Sequence, residues 1–186
     1  MTEIINFVTN ETLLKPSSEL TQEVLSLLKG DKAESIVKLP QLVDLPFSIK
    51  LKKTIIGPIL SVPTQSISAV IVSDIDGMPV PFAGVTATFE PSDTSINISA
   101  IYSNLTREAE FGGKYKFSGV TALLSTIDEA IAEAANQFYP LDVIRKGQTT
   151  SDTVKKLFID RGFTKTGAHP EGNTFWEKRY TKPKMD

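Results

Sequence analysis

The chain has 186 residues and a mass of 20.3 kDa, with 40% hydrophobic and 23% charged side chains and a formal net charge of −2. That balance fits one globular domain, or a domain with an appendage, and excludes a disordered or fibrous chain. Cysteine is absent, which excludes disulfides, thiolate metal sites and a cysteine nucleophile.

The first predicted element is a helix. Ser17 and Ser18 precede Leu20, Val24, Leu25, Leu27 and Leu28, and Gly30 follows Lys29, the pattern of a capped amphipathic helix with a glycine stop. Four of the 11 prolines fall between Pro40 and Pro63. Proline donates nothing to a ladder, so this stretch is expected to be loop with edge strands around residues 49–51 and 54–56. Residues 67–75 and 80–89 are β-branched runs joined across Asp76-Gly77, a strong hairpin signal because both turn residues need positive φ. Ile96, Ile98, Ala100 and Tyr102 then alternate with polar or small residues and predict a third antiparallel strand.

Beyond this point the period changes. Val120, Leu123, Leu124, Ile127, Ala130, Ile131 and Ala134 recur at helical spacing across residues 119–137, with Asp128, Glu129 and Glu133 expected off that buried stripe. Residues 141–144 read as a short buried strand. Thr150 or Ser151 caps a helix running to Arg161 with Val154, Leu157 and Phe158 inward, and Gly162 ends it. Residues 163–165 and 174–180 are the last two strands. The expected fold class is α/β of the α+β kind, a mixed, mostly antiparallel central sheet flanked by helices. Residues 1–66 are expected to be an N-terminal extension packing on a core domain of residues 67–186.

No apolar run reaches 18 residues and no basic-then-apolar leader opens the sequence, so no membrane span or signal peptide is expected, and a cytoplasmic location is. The net charge divides unevenly. Residues 1–144 hold 10 basic and 17 acidic side chains, whereas residues 145–186 hold 10 and 5. A basic C-terminal quarter suits a phosphorylated ligand, and equally a solvated face. Lys178, Arg179, Lys182 and Lys184 with Trp176 and Tyr180 offer little to nucleic acid, because aromatics of a final strand belong in a core. There is no Walker-type loop, no two-histidine metal spacing and no Gly-x-Ser-x-Gly elbow.

The segment Gly112-Gly113-Lys114-Tyr115-Lys116-Phe117-Ser118-Gly119-Val120-Thr121 joins a strand to the long helix. A glycine-rich approach to a helix N-terminus presents free N–H groups and a positive dipole end, which suits a pyrophosphate. Candidates for a general base are Glu108 and Glu110 before this loop, Glu90, Tyr102 and the single histidine His169, which lies in a turn-rich connector.

This loop and helix, together with Leu157-Phe158-Ile159-Asp160-Arg161-Gly162-Phe163 and a closing Phe175-Trp176-Glu177-Lys178-Arg179-Tyr180, resemble the GNAT family of N-acetyltransferases over residues 67–180. The resemblance implies an acyl-CoA N-acyltransferase-like fold, acetyl-CoA as acyl donor and an amine on a small molecule or protein as acceptor. It aligns Lys116, Gly119 and Thr121 with the family's pyrophosphate-loop positions, so backbone amides of Ser118, Gly119, Val120 and Thr121 are expected to hold the pyrophosphate. Gly119 matches that pattern. Thr121 departs from it by a β-branch. Arg145 and Lys146 are expected at the 3′-phosphate, and the thioester in a gap between the third and fourth strands. Phe158 stands where the family places the tyrosine that protonates the leaving thiolate, and so lacks the acid. The altered loop and Phe158 leave a second reading open: an inactive acetyltransferase fold serving as a structural or interaction subunit of an assembly such as a virus particle.

Overall fold

The computed structural model describes residues 4–6, 18–30, 32–38, 47–56, 64–90, 95–103, 116–118, 120–149 and 152–182. Its helices are α1 (Ser18–Lys29), α2 (Val120–Phe138) and α3 (Asp152–Asp160). Its strands are β1 (Ile4–Asn6), β2 (Glu34–Lys38), β3 (Phe47–Ile56), β4 (Thr64–Ile75), β5 (Met78–Glu90), β6 (Ser95–Ser103), β7 (Lys116–Ser118), β8 (Val143–Thr149), β9 (Thr164–Ala168) and β10 (Thr174–Tyr180). Eight of them form one sheet in the order β2-β3-β4-β5-β6-β8-β10-β9, antiparallel throughout except between β6 and β8. β1 and β7 pair in parallel as a separate ribbon. The mixed, mostly antiparallel α+β architecture is the expected one.

The β4–β5 hairpin turns where the sequence says it should. Asp76 has φ 52° and Gly77 φ 80°, the left-handed pair that a type I′ turn needs and that matches strand twist. One face of the sheet is apolar along alternate residues of β3, β4 and β5. Ile49, Leu51, Ile67, Ala69, Ile71, Val85 and Phe89 are buried there against Leu20, Val24 and Leu27 of α1 and Ile127 and Ile131 of α2. Lys53 on β3 fastens the end of α1. Its Nζ donates to the carbonyls of Leu27 at 2.6 Å and Gly30 at 2.7 Å, placing a cation at the negative end of the helix dipole.

Several expectations are corrected. Residues 47–56 form an interior strand between β2 and β4, not an edge. The prolines at 40, 46, 58 and 63 all lie outside it, so they bracket the strand instead of interrupting it. The edge strand on this side of the sheet is β2, whose exposed Glu34, Ile36 and Lys38 alternate with buried Ser35 and Val37. The fourth strand of the core runs from Val143 to Thr149, later than residues 141–144. The boundary drawn at residue 66 falls inside β4, and α1, β2 and β3 share the sheet and its core.

The turn supplies a clean test of the hairpin. Space around a Gly77 Cβ is open, so Gly77→Ala meets only the backbone penalty for positive φ. Chemical denaturation should show a loss of about 1–2 kcal/mol, and an unchanged midpoint would contradict the assigned turn.

Candidate functional site

The site begins where β6 and β8 part. Their parallel ladder comprises Ser95↔Ile144, Ile96↔Arg145 and Asn97↔Lys146. Beyond those three pairs, 98–103 and 147–149 form no further pairs with each other among the described residues. The cause is local to β6. Its register against β5 shifts between Thr86↔Ala100 and Ala87↔Ile98, which leaves Ser99 as an extra residue. A bulge bends its strand and increases the twist, and this one sits two residues past the last pair with β8.

Helix α2 runs antiparallel to β8 beneath this gap. Val143 N donates to Asn136 Oδ1 at 3.3 Å near the helix end, and Arg145 meets Asp128 two turns earlier. From Asp128 to Val120 is about 12 Å of helix, and from Arg145 to Thr149 about 13 Å of strand. The N-terminus of α2 is therefore level with the open end of the gap. The residues just before it are held by the ribbon, in which Lys116, Phe117 and Ser118 pair with Ile4, Ile5 and Asn6.

A buried polar seam lies between α2 and the sheet. Arg145, at 0% exposure, donates from Nε to both carboxylate oxygens of Asp128 at 2.8 and 2.9 Å. Lys178 Nζ donates to Glu129 Oε1 at 2.5 Å, and Arg161 to Thr126 Oγ1 at 2.7 Å. Asp128 and Glu129, expected off the buried stripe, are thus both buried. Burial, and after it the neighbouring Glu129 charge, push the Tyr180 hydroxyl up from its ordinary value. Glu133 is raised for the same two reasons in the same order. On α3, Phe158 packs with Phe163 at 4.6 Å and Trp176 at 5.9 Å between ring centroids. Its Cζ lies 2.9 Å from where a Gly147 Cβ would stand, and Arg145 Nη1 lies 3.4 Å from that point. Gly147 is the first β8 residue past the ladder, so its missing side chain leaves room for an aromatic edge and a guanidinium tip at the foot of the gap.

The sequence candidates are distributed as follows. Lys116 and Ser118 lie on β7, and Val120 and Thr121 in the first turn of α2. Gly119, Glu108 and Glu110 lie outside the described residues. Glu90 ends β5 and Tyr102 lies on β6. His169 is exposed in the β9–β10 turn, where its Nδ1 accepts from Glu171 N at 3.2 Å. Arg145 and Lys146 do not converge on one phosphate. Successive strand residues face opposite sides of a sheet, and Arg145 is sealed inward against Asp128. Phe158 is a core aromatic whose ring edge abuts Gly147. Sequence reasoning missed Gly147, Asp128 and the β1–β7 ribbon. Of these only Asp128 carried a signal, as an acid within a helix facing a basic strand.

Two substitutions test this arrangement. Gly147→Ala forces its Cβ against the Phe158 ring and should cost about 1–3 kcal/mol; the cost should shrink in a Phe158→Leu background, and equal costs in both would refute the contact. For Glu133, the raised carboxyl keeps its proton in the fold at a pH where the unfolded chain has released it. Stability therefore falls as pH climbs above the ordinary value near 4. Glu133→Gln should stabilise the protein at neutral pH by a few tenths of a kcal/mol after solvent screening, with no gain below that value. Urea melts at the two pH values read this directly.

No protein-family model matches the chain, and no curated protein matches it. Among solved structures, it is similar to a nourseothricin acetyltransferase at 12% identity and TM-score 0.41, covering 91% of this chain and 97% of that one. A putative streptothricin acetyltransferase from Bacillus anthracis in complex with acetyl coenzyme A is similar at 8% identity and TM-score 0.39, covering 81% and 99%. Ard1 from Thermoplasma volcanium is similar at 15% and 0.38, covering 61% and 71%.

Proposed function

We propose that the protein transfers an acetyl group from acetyl-CoA to an amine. The observation that supports this reading is the parting of β6 and β8 with the start of α2 level with its open end. A parallel ladder that stops after three pairs leaves the edges of both strands facing a slot. An extended, amide-bearing chain such as pantetheine can pair with such edges as an added strand does. At the slot's mouth, the backbone amides of Ser118, Gly119, Val120 and Thr121 hold the pyrophosphate, favoured by the helix dipole, with Lys116 adding charge.

Acetyl-CoA supplies an activated thioester, and the chain's own groups position it and meet the charge that develops. A backbone N–H of residues 147–148 donates to the carbonyl oxygen as the amine attacks. Glu108 or Glu110 takes the proton that the amine loses. Phe158, Phe163 and Trp176 form a buried aromatic cluster beside Gly147 that keeps water from the helix-covered face of β8.

The hydroxyl-free Phe158 in an aromatic cluster favours a second reading, a non-catalytic structural or interaction subunit built on the same fold. Titration calorimetry with acetyl-CoA separates the two. Acyl transfer requires binding in the micromolar range that Gly119→Leu weakens by at least about tenfold, equivalent to about 1.4 kcal/mol. No heat of binding at millimolar ligand would sink the transferase reading and leave the structural one.

A further inference from the structure

The Arg145 guanidinium is half used. Nε alone serves the Asp128 carboxylate, while Nη1 and Nη2 are both buried without a hydrogen-bond partner among the described residues. Arginine stays protonated in any protein environment, and an unmet charged donor inside a fold costs far more than a neutral one. Two such nitrogens on one side chain mark a place prepared for an acceptor that the described residues do not supply. Their position says which. Nη1 stands 3.4 Å from where a Cβ of Gly147 would be, on the helix-covered face of the first β8 residue past the ladder with β6, with the edge of the Phe158 ring on the same point. Phe163 lies under the guanidinium, 5.8 Å from Cζ to ring centroid, and holds it by cation–π attraction. The ring of Phe158 has no proton to give, and a guanidinium cannot act as an acid. It can meet an anion.

We propose that Arg145 is the catalytic residue that stabilises the thiolate leaving group. The inference rests on the acyl-transfer reading and deepens it. The amine nitrogen bonds to the thioester carbonyl carbon and its proton passes to the base. As the carbonyl re-forms, the carbon–sulfur bond breaks and its electron pair stays on sulfur. The sulfur leaves as an anion beside Nη1 and Nη2, in a water-poor setting where that attraction is strong, and takes its proton from solvent after release. The Asp128 carboxylate orients the fork from behind.

The absence of cysteine makes the test unusually direct, since the only thiol in a complex with free coenzyme A is the ligand's. The thiolate absorbs in the ultraviolet, so its ionisation can be followed in the bound state by difference titration. An ordinary thiol ionises near about 8.5. In the wild-type complex the midpoint should fall by about one pH unit or more, a tenfold gain in acidity. In Arg145→Gln it should return to the free value or above. Because that variant strands Asp128 as a lone buried charge, Arg145→Gln/Asp128→Asn, which removes both charges, is measured beside it. A wild-type midpoint at or above that of free coenzyme A overturns the proposal without any variant. So does an equal midpoint in wild type and double variant. If coenzyme A binds and its thiol is unperturbed, the transferase reading stands and Arg145 is structural. If calorimetry finds no binding at all, that reading and this one fall together.

Discussion

Two charge pairs set where α2 lies, and the rest of the molecule is arranged around that helix. Asp128 and Glu129 are consecutive, about 100° apart around the helix, and so straddle its underside. Arg145 and Lys178, their partners, are register neighbours on β8 and β10. The helix cannot slide by a turn, about 5.4 Å, without breaking both contacts. Buried pairs of this kind return little net stability, because desolvation offsets the Coulomb gain. Their consequence is position. They hold the axis of α2 against β8, and thereby the height of its N-terminus relative to the end of that strand.

The gap follows from the same geometry. A parallel neighbour for β6 can be reached only by a long crossover, and here α2 is that crossover. Once the helix is pinned under β8 and β10, β8 has its place, and β6 is free to follow β5 instead. The extra residue at Ser99 bends β6, and the lack of a side chain at Gly147 makes room for the Phe158 ring on the helix-covered face of β8. Interior packing and the open slot are two sides of one arrangement: the aromatic cluster of Phe158, Phe163 and Trp176 supports β8 and β10 from the helix side while the ladder on the other flank of β8 ends.

Elements with a strong local signature were legible in the sequence: α1 from its leucine stripe, the β4–β5 hairpin from Asp76-Gly77, and α2 and α3 from their period. Those missed depend on partners. β3 carries Lys50, Lys52 and Lys53 among its apolar residues, and only a sheet with one open face explains why exposed Lys50 and Lys52 alternate with buried Ile49 and Leu51. β8 reads as polar from Arg145 to Thr149 because its inward residues are an arginine, a glycine and a threonine. β1 and β7 are three residues each, too short for a pattern. The residues themselves showed the site as a loop and helix start, and the gap entered only through the family resemblance, since divergence of two strands is a relation between segments distant in sequence. Burial of a charge is likewise invisible until both halves of the pair are placed.

That last point bears on the uneven charge of the two parts of the chain. The basic C-terminal quarter suggested an anionic ligand outside, yet Arg145, Lys178 and Lys182 turn toward the preceding part of the chain, while Lys156, Lys165 and Arg179 stay exposed. Arg145 takes Asp128, Lys178 takes Glu129, and Lys182 donates to the carbonyl of Asn136 while its own N–H reaches Asp142. The acidic body and the basic end therefore meet in two internal ion pairs, and part of the asymmetry is used in folding. An anion site must then be sought among cations with donors left over after this internal matching, not by counting lysines. Lys178 is turned to Glu129 and to the faces of Tyr180 and Phe163. Arg161 reaches Thr126 through Nη2, with Nε alone unmatched among the described residues. Arg145 keeps both terminal nitrogens unmatched, and it does so where β6 and β8 let go of each other.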